Sequence, residues 1–419
     1  MPWSRTEPMD ERMSFIVRWR EGALPMTELC RQYGVSRRTG YKWVERYEAE
    51  GPAGLQERSR APLHHPQAVE PAIAAAALTA RHEHPSWGPR KVRAWLQARQ
   101  PAVGWPAAST LGELFTAAGL TVARRRRDRV PPRSAPFAGC DGPNATWTAD
   151  FKGWFRTGDG ARCEPFTLLD AWSRYLLRLQ AVRRTDTATV RAILDAAFRE
   201  YGLPQAFRSD NGAPFASRGA GGLSRLAVWL IKLGVRPERI DPGAPQQNGR
   251  HERFHLTLKR DTAEPPAASL RGQARAFAAF RRQYNEERPH EALAQATPAS
   301  RYQASARPYT GRLRSPEYPG AETVRLVNAN GEIKWRGGRV FLSEPLIGEP
   351  VGITAVADGK WQVMYGTIQL GMLDANANFR QPKRKRRQRA PCGFVDNASA
   401  LTTTPQGQQP PQPSFRYEG

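Results

Sequence analysis

The sequence has few cysteines and no long hydrophobic run, and each shortage excludes a class of protein. Its four cysteines show no CxxC pair and no regular spacing, which argues against a zinc finger or a disulfide framework. No stretch approaches the ~18 apolar residues that a membrane-spanning helix needs. Residues 1–12 are charged and contain two prolines, unlike a secretory signal. We therefore expect a cytoplasmic protein with no membrane partner.

Acidic residues are also scarce relative to basic ones. Lys and Arg number 63 against 39 Asp and Glu, a formal net charge of +24, and the excess is spread along the chain. Such a surface attracts polyanions, so nucleic acid is the expected partner and association with the nucleoid is the expected location. The alternative is a basic protein whose arginine content reflects a GC-rich genome rather than a ligand.

Residues 9–50 have a helical pattern interrupted by a glycine-containing turn, which predicts a helix-turn-helix DNA-binding domain. Ser36 is placed to cap the third helix, which is predicted to carry Tyr41, Val44 and Tyr47 inward. A small bundle with a solvated basic face is the alternative. The residues predicted to face the phosphates and base edges of a major groove are Arg37, Arg38, Thr39, Lys42 and Arg46.

Four further segments flank a central region. Residues 62–123 predict a second helix-turn-helix domain, with or without a wing, and residues 124–143 predict an extended basic linker. Residues 308–380 are rich in strand formers, with two Asx-Gly hairpin signals, and predict a small β-barrel. Residues 381–419 begin with KRKRRQR, become rich in Gln and Pro, and predict a disordered tail.

The central region, residues 144–303, alternates strands and helices. Three β-rich runs (ATWTADFKGWF, EPFTLLD and RYLLRLQAV) precede an amphipathic helix over 187–201. A short strand (QAFRSD), a helix, another strand (VRPERI) and two more helices follow. This order predicts an α/β domain with a mixed sheet flanked by helices.

Three acids in this region have settings that suit metal binding. Asp150 lies in a strand among aromatic and apolar neighbours, where a buried carboxylate is costly unless it is paired or metal-bound. Asp210 ends a short strand, and Glu252 lies in the first turn of a helix. Converging carboxylates are what two Mg²⁺ ions need for phosphodiester exchange. Each acid also has an ordinary explanation: an ion pair with Lys152, a turn, and a favourable helix dipole, respectively.

A second motif overlaps the glutamate. Residues 251–255 read H-E-x-x-H, the zinc-peptidase helix motif, in which Glu252 would be the general base. Two histidines four residues apart share a helical face, so His251 and His255 remain possible zinc ligands at this point. No H-E-x-x-H-x-x-G-x-x-H extension follows the motif.

Five blocks together resemble the integrase-core transposases, in the IS481-like branch of the IS3 group of insertion sequences. The blocks are WTADFKGWF, LLDAWSRYLL, RSDNGAPF, PGAPQQNGRHERFHLTLKRD and YNEERPHEALAQATPASRY. The resemblance covers about Met9 to Tyr302 and implies a ribonuclease-H-like core with an Asp-Asp-Glu triad. The triad falls on Asp150, Asp210 and Glu252, at intervals of 60 and 42 positions. A glycine-rich insert at 216–224 accounts for the long second interval.

The resemblance implies a function. The protein would bind the terminal inverted repeats of a mobile element, cut its 3′ ends and join each freed 3′-hydroxyl to target DNA. The triad would be both catalytic and metal-binding, with Mg²⁺ as cofactor and Mn²⁺ as substitute, and the protein would act on double-stranded DNA as a dimer or higher homo-oligomer. A catalytically inactive, sequence-specific DNA-binding protein is the alternative. The further residues implied to contact DNA are Gln247, Asn248, Arg250 and Lys259.

Overall fold

The computed structural model describes most of the chain and divides it into two compact units, residues 1–70 and 71–419. The residues it describes are 8–58, 68–121, 140–217, 219–240 and 249–382. The predicted linker and the predicted tail therefore lie almost entirely outside the described residues. No helix within the described ranges is long and apolar enough to cross a membrane.

The first unit is a bundle of three helices, α1 (Pro8–Glu21), α2 (Met26–Gln32) and α3 (Arg37–Glu50). Ser36 caps α3 as predicted, because its Oγ accepts a hydrogen bond from the Thr39 amide at 3.2 Å. The core residues of this unit are Phe15, Ile16, Leu29, Cys30, Trp43, Val44 and Leu55.

The orientation of α3 differs from the prediction at one position. Val44 is buried, but Tyr41 is 59% exposed, so its predicted inward placement was wrong. A Cβ atom on Gly40 would lie 2.5 Å from the Cys30 Sγ, so α2 and α3 approach most closely at this glycine. That close approach turns Gly40 and Trp43 inward and leaves Tyr41 beside the basic face.

A second set of three helices begins the second unit. Its helices are α4 (Pro71–Glu83), α5 (Pro89–Arg99) and α6 (Ala108–Ala117). They pack around Trp87, Trp105 and Phe115, among other buried residues. Residues 68–121 contain no strand, so this part of the chain has no wing.

The central region is a mixed sheet with helices on both faces. Its elements are β1 (Thr146–Phe151), β2 (Phe155–Arg156), β3 (Arg162–Asp170), β4 (Leu176–Val182), α7 (Thr187–Tyr201), β5 (Ala206–Ser209), α8 (Arg225–Lys232), β6 (Arg236–Arg239), α9 (Gly249–Thr262) and α10 (Leu270–Glu286). The main strand order is β4-β3-β1-β5-β6, and the short β2 pairs with the beginning of β3. β3 is antiparallel to β1 and β4, whereas β1, β5 and β6 are parallel. The predicted mixed α/β domain is confirmed.

Each face of this sheet has its own hydrophobic cluster. Alternate residues of β1, including Trp147 and Ala149, pack with α7 and α8 on one face. The opposite face is covered by α9 and α10, through residues such as Phe254 and Phe277. Residues of β1 that alternate with Trp147 and Ala149 therefore face α9.

The C-terminal strands form an open sheet. They are β7 (Thr323–Leu326), β8 (Glu332–Trp335), β9 (Gly338–Phe341), β10 (Pro350–Ala357), β11 (Lys360–Tyr365), β12 (Ile368–Asp374) and β13 (Phe379–Arg380). Five of them run in the order β13-β12-β11-β10-β7, and β8-β9 is a separate hairpin. β7 and β13 form the two edges of this sheet and do not pair with each other. Within residues 308–382, the predicted closed barrel is therefore not confirmed.

This open sheet shares a hydrophobic cluster with the central region. Ala227 and Val228 of α8 pack with buried residues of the C-terminal strands, such as Trp335 and Tyr365. Beside them, the buried Glu349 carboxylate forms an ion pair with Lys232 of α8 at 2.5 Å and accepts a hydrogen bond from the Tyr365 hydroxyl at 3.0 Å.

Candidate active site

Two of the three predicted acids lie at the same edge of the central sheet. β1 and β5 are adjacent parallel strands, with Thr148 opposite Arg208. Asp150 and Asp210 each follow this last pair by two residues, Asp150 near the end of β1 and Asp210 directly after β5. Because the carboxyl ends of parallel strands meet at one edge, the fold places these two carboxylates on neighbouring strand ends.

Asp210 has a carboxylate oxygen without a partner. Its Oδ1 is buried and forms no hydrogen bond with any described residue. Burial raises the pKa of this carboxyl, and a hydrogen bond from the Gly212 backbone opposes the shift. A Cβ atom on Gly212 would lie only 2.9 Å from Asp210 Oδ2, so the glycine leaves room for the carboxylate.

Asp150 is tied to α9 through two intermediate side chains. Asp150 pairs across strands with Thr167 of β3, and the Thr167 hydroxyl donates to the Asp150 carbonyl at 2.9 Å. The same hydroxyl lies 3.1 Å from His255 Nε2. Since the hydroxyl has only one hydrogen, Nε2 must be the donor in this second contact. Burial lowers the pKa of His255 to about 3, in agreement with a neutral ring that stabilises this contact.

Glu252 lies on α9 one turn before His255, but its side chain is exposed. His251 and His255 are 2% and 9% exposed, and their ring centroids are 5.5 Å apart. The glutamate thus points to solvent while both histidines are buried towards the sheet. The three side chains do not share the open face that the zinc-peptidase alternative requires, and His255 Nε2 is engaged by Thr167.

The carboxylates are not gathered into a closed metal site. Among the described residues, no three side chains of the types His, Cys, Asp and Glu lie close enough together to hold a metal ion. The pair Asp150 and Asp210 nevertheless fits a hard cation, because carboxylate oxygens are the ligands it prefers and one Asp210 oxygen is buried without a partner. The position of Glu252 depends on how α9 begins, directly after residues 241–248, which lie outside the described part.

The other end of α9 is held by a buried ion pair that sequence reasoning missed. Asp261 Oδ2 lies 3.2 Å from Arg288 Nη1, and the side chains are 16% and 7% exposed. Ser86, in the turn before α5, donates to the same oxygen at 3.1 Å. The second set of helices is thus joined to α9. The partners are 27 and 175 positions from Asp261, so no local pattern indicates either contact.

The NEERPH sequence at residues 285–290, within the fifth of the five blocks, makes contacts with other parts of the fold. The side-chain amide of Asn285 forms two hydrogen bonds with the backbone of Leu176, which fix the start of β4. Its Oδ1 accepts from the Leu176 N–H at 2.8 Å, and its Nδ2 donates to the Leu176 carbonyl at 3.1 Å. Arg288 forms the ion pair with Asp261. His290 packs edge-on against Tyr284, with ring centroids 4.7 Å apart. Through these contacts the three residues stabilise β4, α9 and the end of α10.

The predicted DNA-contacting residues fall into three groups. On α3, Arg37, Arg38 and Lys42 are exposed, whereas Thr39 is half-buried beside Ser36 and Arg46 is half-buried with its guanidinium 5.3 Å from the Trp43 ring. On α9, Lys259 is exposed and forms an ion pair with Glu264 at 2.5 Å. The third group cannot be placed: Gln247 and Asn248 lie outside the described residues, as does the side chain of Arg250.

Family comparisons agree with this arrangement. Two models described as integrase core domain match residues 141–245 and 233–298. A helix-turn-helix domain model matches residues 11–62, and a homeodomain-like domain model matches residues 39–115. Residues 141–298 of the chain therefore match an integrase core domain, and matches to helix-turn-helix and homeodomain-like domains precede it.

Two curated relatives come from bacterial insertion elements. The IS407 uncharacterized 31.7 kDa protein of Burkholderia multivorans is 29% identical over 256 residues, which cover 59% of this chain and 89% of that protein. The IS476 uncharacterized 39.2 kDa protein of Xanthomonas euvesicatoria is 29% identical over 236 residues, 55% of this chain but only 65% of that protein. With the domain composition, these similarities are consistent with a transposase of the IS3 group.

Solved structures align more loosely. A chain of the simian T-cell lymphotropic virus intasome, in complex with PP2A regulatory subunit B56 gamma, is 16% identical with a TM-score of 0.34, over 74% of this chain and 100% of that one. The HTLV-2 integrase catalytic core in complex with magnesium is 13% identical with a TM-score of 0.29, over 39% of this chain and 99% of that one.

Proposed function

We propose that the protein is a DDE transposase. It binds the terminal inverted repeats of a mobile DNA element, cleaves the 3′ ends and transfers them into target DNA. The observation that supports this proposal is the parallel pairing of β1 with β5, since Asp150 lies near the carboxyl end of β1 and Asp210 directly follows β5. The Thr167–His255 contact joins this region of the sheet to the helix that bears Glu252. The partly orphaned, buried carboxylate of Asp210 supports it.

The protein's own residues supply position and charge. Asp150 and Asp210 would hold Mg²⁺, or Mn²⁺ in its place, and Glu252 would complete the ligand set. Such ions activate the attacking oxygen and stabilise the leaving oxygen in phosphoryl transfer. Thr167 and His255 keep α9 against β1, and the Gly212 backbone orients the Asp210 carboxylate.

The remaining parts would bring DNA to this site. Residues 9–50 and 62–123 would act as two helix-turn-helix domains on the element ends, with Arg37, Arg38 and Lys42 at the major groove. Residues 124–143 would link them to a core over 144–303, followed by the 308–380 sheet and the 381–419 tail. Because two ends must be joined, we expect a dimer or larger assembly on DNA in the bacterial cytoplasm, at the nucleoid.

One observation favours a second candidate, an inactive DNA-binding protein derived from a transposase. No three-ligand group is formed within the described residues. In that case the helix-turn-helix domains would still bind DNA, but the core would never cleave it.

A strand-transfer assay separates the two candidates. The substrate is DNA carrying the sequences that flank the coding region, incubated with full-length protein and Mg²⁺, Mn²⁺ or EDTA. We expect joined products only with a divalent metal. Mutation of residues around metal ligands typically reduces activity ~10–100-fold, so Asp210→Asn should lower it by at least ~100-fold. The matched control is Asp358→Asn, an exposed aspartate in the β10–β11 turn. DNA binding without metal-dependent products would establish the inactive protein.

A further inference from the structure

A solvent-exposed tryptophan follows directly after the strand that carries Asp150. Trp154 is 54% exposed, an unusual state for a large aromatic side chain. Gly153, with φ of +88°, turns the chain out of β1 just before it. The next residue, Phe155, packs into the cluster beneath α9 and α10. Trp154 therefore points away from that cluster, and no described hydrophobic cluster includes it.

Two arginines flank the exposed ring. The guanidinium carbons of Arg156 and Arg162 lie 5.8 and 5.1 Å from the Trp154 ring centroid. Arg156 is fixed by a 2.9 Å hydrogen bond to the Gly160 carbonyl, and Arg162 by a 2.9 Å ion pair with the buried Glu164. Both guanidiniums lie over the ring at cation–π distances, and Trp154 is still 54% exposed beside them.

The hairpin that bears this group is anchored to the core. The Gly158 and Asp159 amides donate to the carbonyls of Ala267 and Ala268 at 2.9 and 2.8 Å, in the connection between α9 and α10. Phe155, which is partly buried, also packs against the core. The ring and its two arginines are therefore held on a rigid support, which limits the entropy lost when a ligand stacks on them.

An open cavity adjoins the same arginine. It has a volume of about 470 Å³ and is lined by Arg162, Glu164, Arg183, Arg184, Thr185 and Asp186. Arg183 and Arg184 are exposed and form no ion pair within 4.0 Å among the described residues. The cavity thus presents two exposed arginines that form no close ion pair among the described residues, together with the carboxylates of Glu164 and Asp186 in its lining. Its volume lies in the ~300–1,000 Å³ range of small-ligand sites.

The distance to the predicted catalytic edge is short. Trp154 is four positions after Asp150, so their Cα atoms lie within ~14 Å of each other. That length corresponds to at most about four base steps of B-form DNA. A nucleotide on Trp154 would belong to the same DNA end as a phosphodiester at Asp150 and Asp210.

We propose that Trp154, bordered by Arg156 and Arg162, is a stacking platform for an unpaired base at the DNA end, and that Arg183 and Arg184 bind the phosphates next to that base. The proposal rests on the proposed function and deepens it. Base–aromatic stacking is independent of sequence because every base has a π face, and flanking arginines bind the backbone. Opening the terminal pairs would be favoured by the energy of stacking.

The test is a binding measurement that needs no catalysis. Full-length protein in EDTA is titrated onto three fluorescent DNAs that share one strand: a blunt duplex, a duplex with mismatched terminal pairs, and the single strand. We expect Trp154→Ala to weaken binding to the mismatched and single-stranded probes by about 5- to 150-fold, the range that stacking provides, and to leave blunt-duplex binding unchanged. Trp154→Phe should restore most of the loss.

Phe341→Ala is the matched control, since Phe341 is 56% exposed on β9 of the C-terminal hairpin. It should not distinguish between the probes. A uniform loss on all probes, no loss, or no rescue by Trp154→Phe would overturn the stacking role. A change of sedimentation coefficient without a change in DNA binding would assign Trp154 to a protein interface instead, and would also overturn it.

A separate measurement tests the proposed phosphate contacts of Arg183 and Arg184. Replacing Arg183 and Arg184 together by Gln should reduce the slope of log affinity against log salt by about 1 to 2 for the mismatched probe, because each phosphate contact contributes about 0.9. An unchanged slope would refute it. Strand transfer by the wild-type protein remains the separate test of the proposed function. Wild-type transfer combined with normal binding by Trp154→Ala would refute this inference alone.

Discussion

Replacing Thr167 by valine tests the link between β1 and α9, the helix that bears Glu252. Valine has nearly the same shape as threonine but lacks the hydroxyl that joins the Asp150 carbonyl to His255 Nε2. Thr167 is fully buried and His255 is 9% exposed, so the imidazole N–H would lose its acceptor without gaining water. A buried donor left unsatisfied costs about 1–3 kcal/mol. We expect Thr167→Val to lower the free energy of unfolding by that amount.

The second half of this prediction is a double-mutant cycle. His255→Leu removes the donor, so Thr167→Val in that background should cost much less than it does alone. Replacing both partners of a buried hydrogen bond by apolar groups can be nearly neutral. Urea unfolding of the four full-length proteins gives the coupling energy, and the strand-transfer assay shows whether α9 still positions Glu252. If the two single losses add within ~0.5 kcal/mol, the sites are independent and the reasoning is refuted.

Two further predictions concern buried charges. Asp261→Asn should lower the free energy of unfolding in urea by ~3–5 kcal/mol, because it leaves the buried Arg288 guanidinium without its anion. The double variant Asp261→Leu/Arg288→Met should be markedly less destabilised, because it removes both charges. Equal losses in the two variants would contradict this prediction. Burial lowers the pKa of His290 from 6.5 to about 3, so the unfolded chain takes up the proton first and stability is lost as pH falls from 6.5 towards 3. At pH 5 this loss in the free energy of unfolding is ~2 kcal/mol. In His290→Gln, the decrease in the free energy of unfolding between neutral pH and pH 5 should be smaller by that amount. Identical pH profiles for the wild type and the variant would contradict this prediction.

Local signals explain how much of the fold could be predicted. The helix over 187–201 has the predicted bounds, because the Asp186 side chain accepts from the Thr189 amide and Gly202 ends the helix at φ +76°. The N-cap of α3 at Ser36 was predicted from the same kind of local signal. Capping depends on residues a few positions apart, so one sequence suffices to recognise it.

Features that depend on distant partners were harder to predict. The hairpin signals located the C-terminal strands, but closure depends on whether β7 and β13 pair, and β7 pairs only with β10. The inward face of α3 was misassigned at Tyr41 because the contact between Gly40 and α2 sets the helix orientation. The three acids remain predictions that rest on their local settings and on the family resemblance. The Thr167–His255 and Asp261–Arg288 contacts could not be predicted in this way, because they join residues 88 and 27 positions apart.

The shared cluster around α8 has a practical consequence for any attempt to work with the core alone. A fragment truncated near residue 308 would lose the C-terminal strands that cover Ala227 and Val228, and Lys232 would lose its buried anion. The uncovered surface would be apolar and prone to self-association. The open sheet thus covers an apolar part of the central region, and we expect a well-behaved fragment to extend to about residue 380.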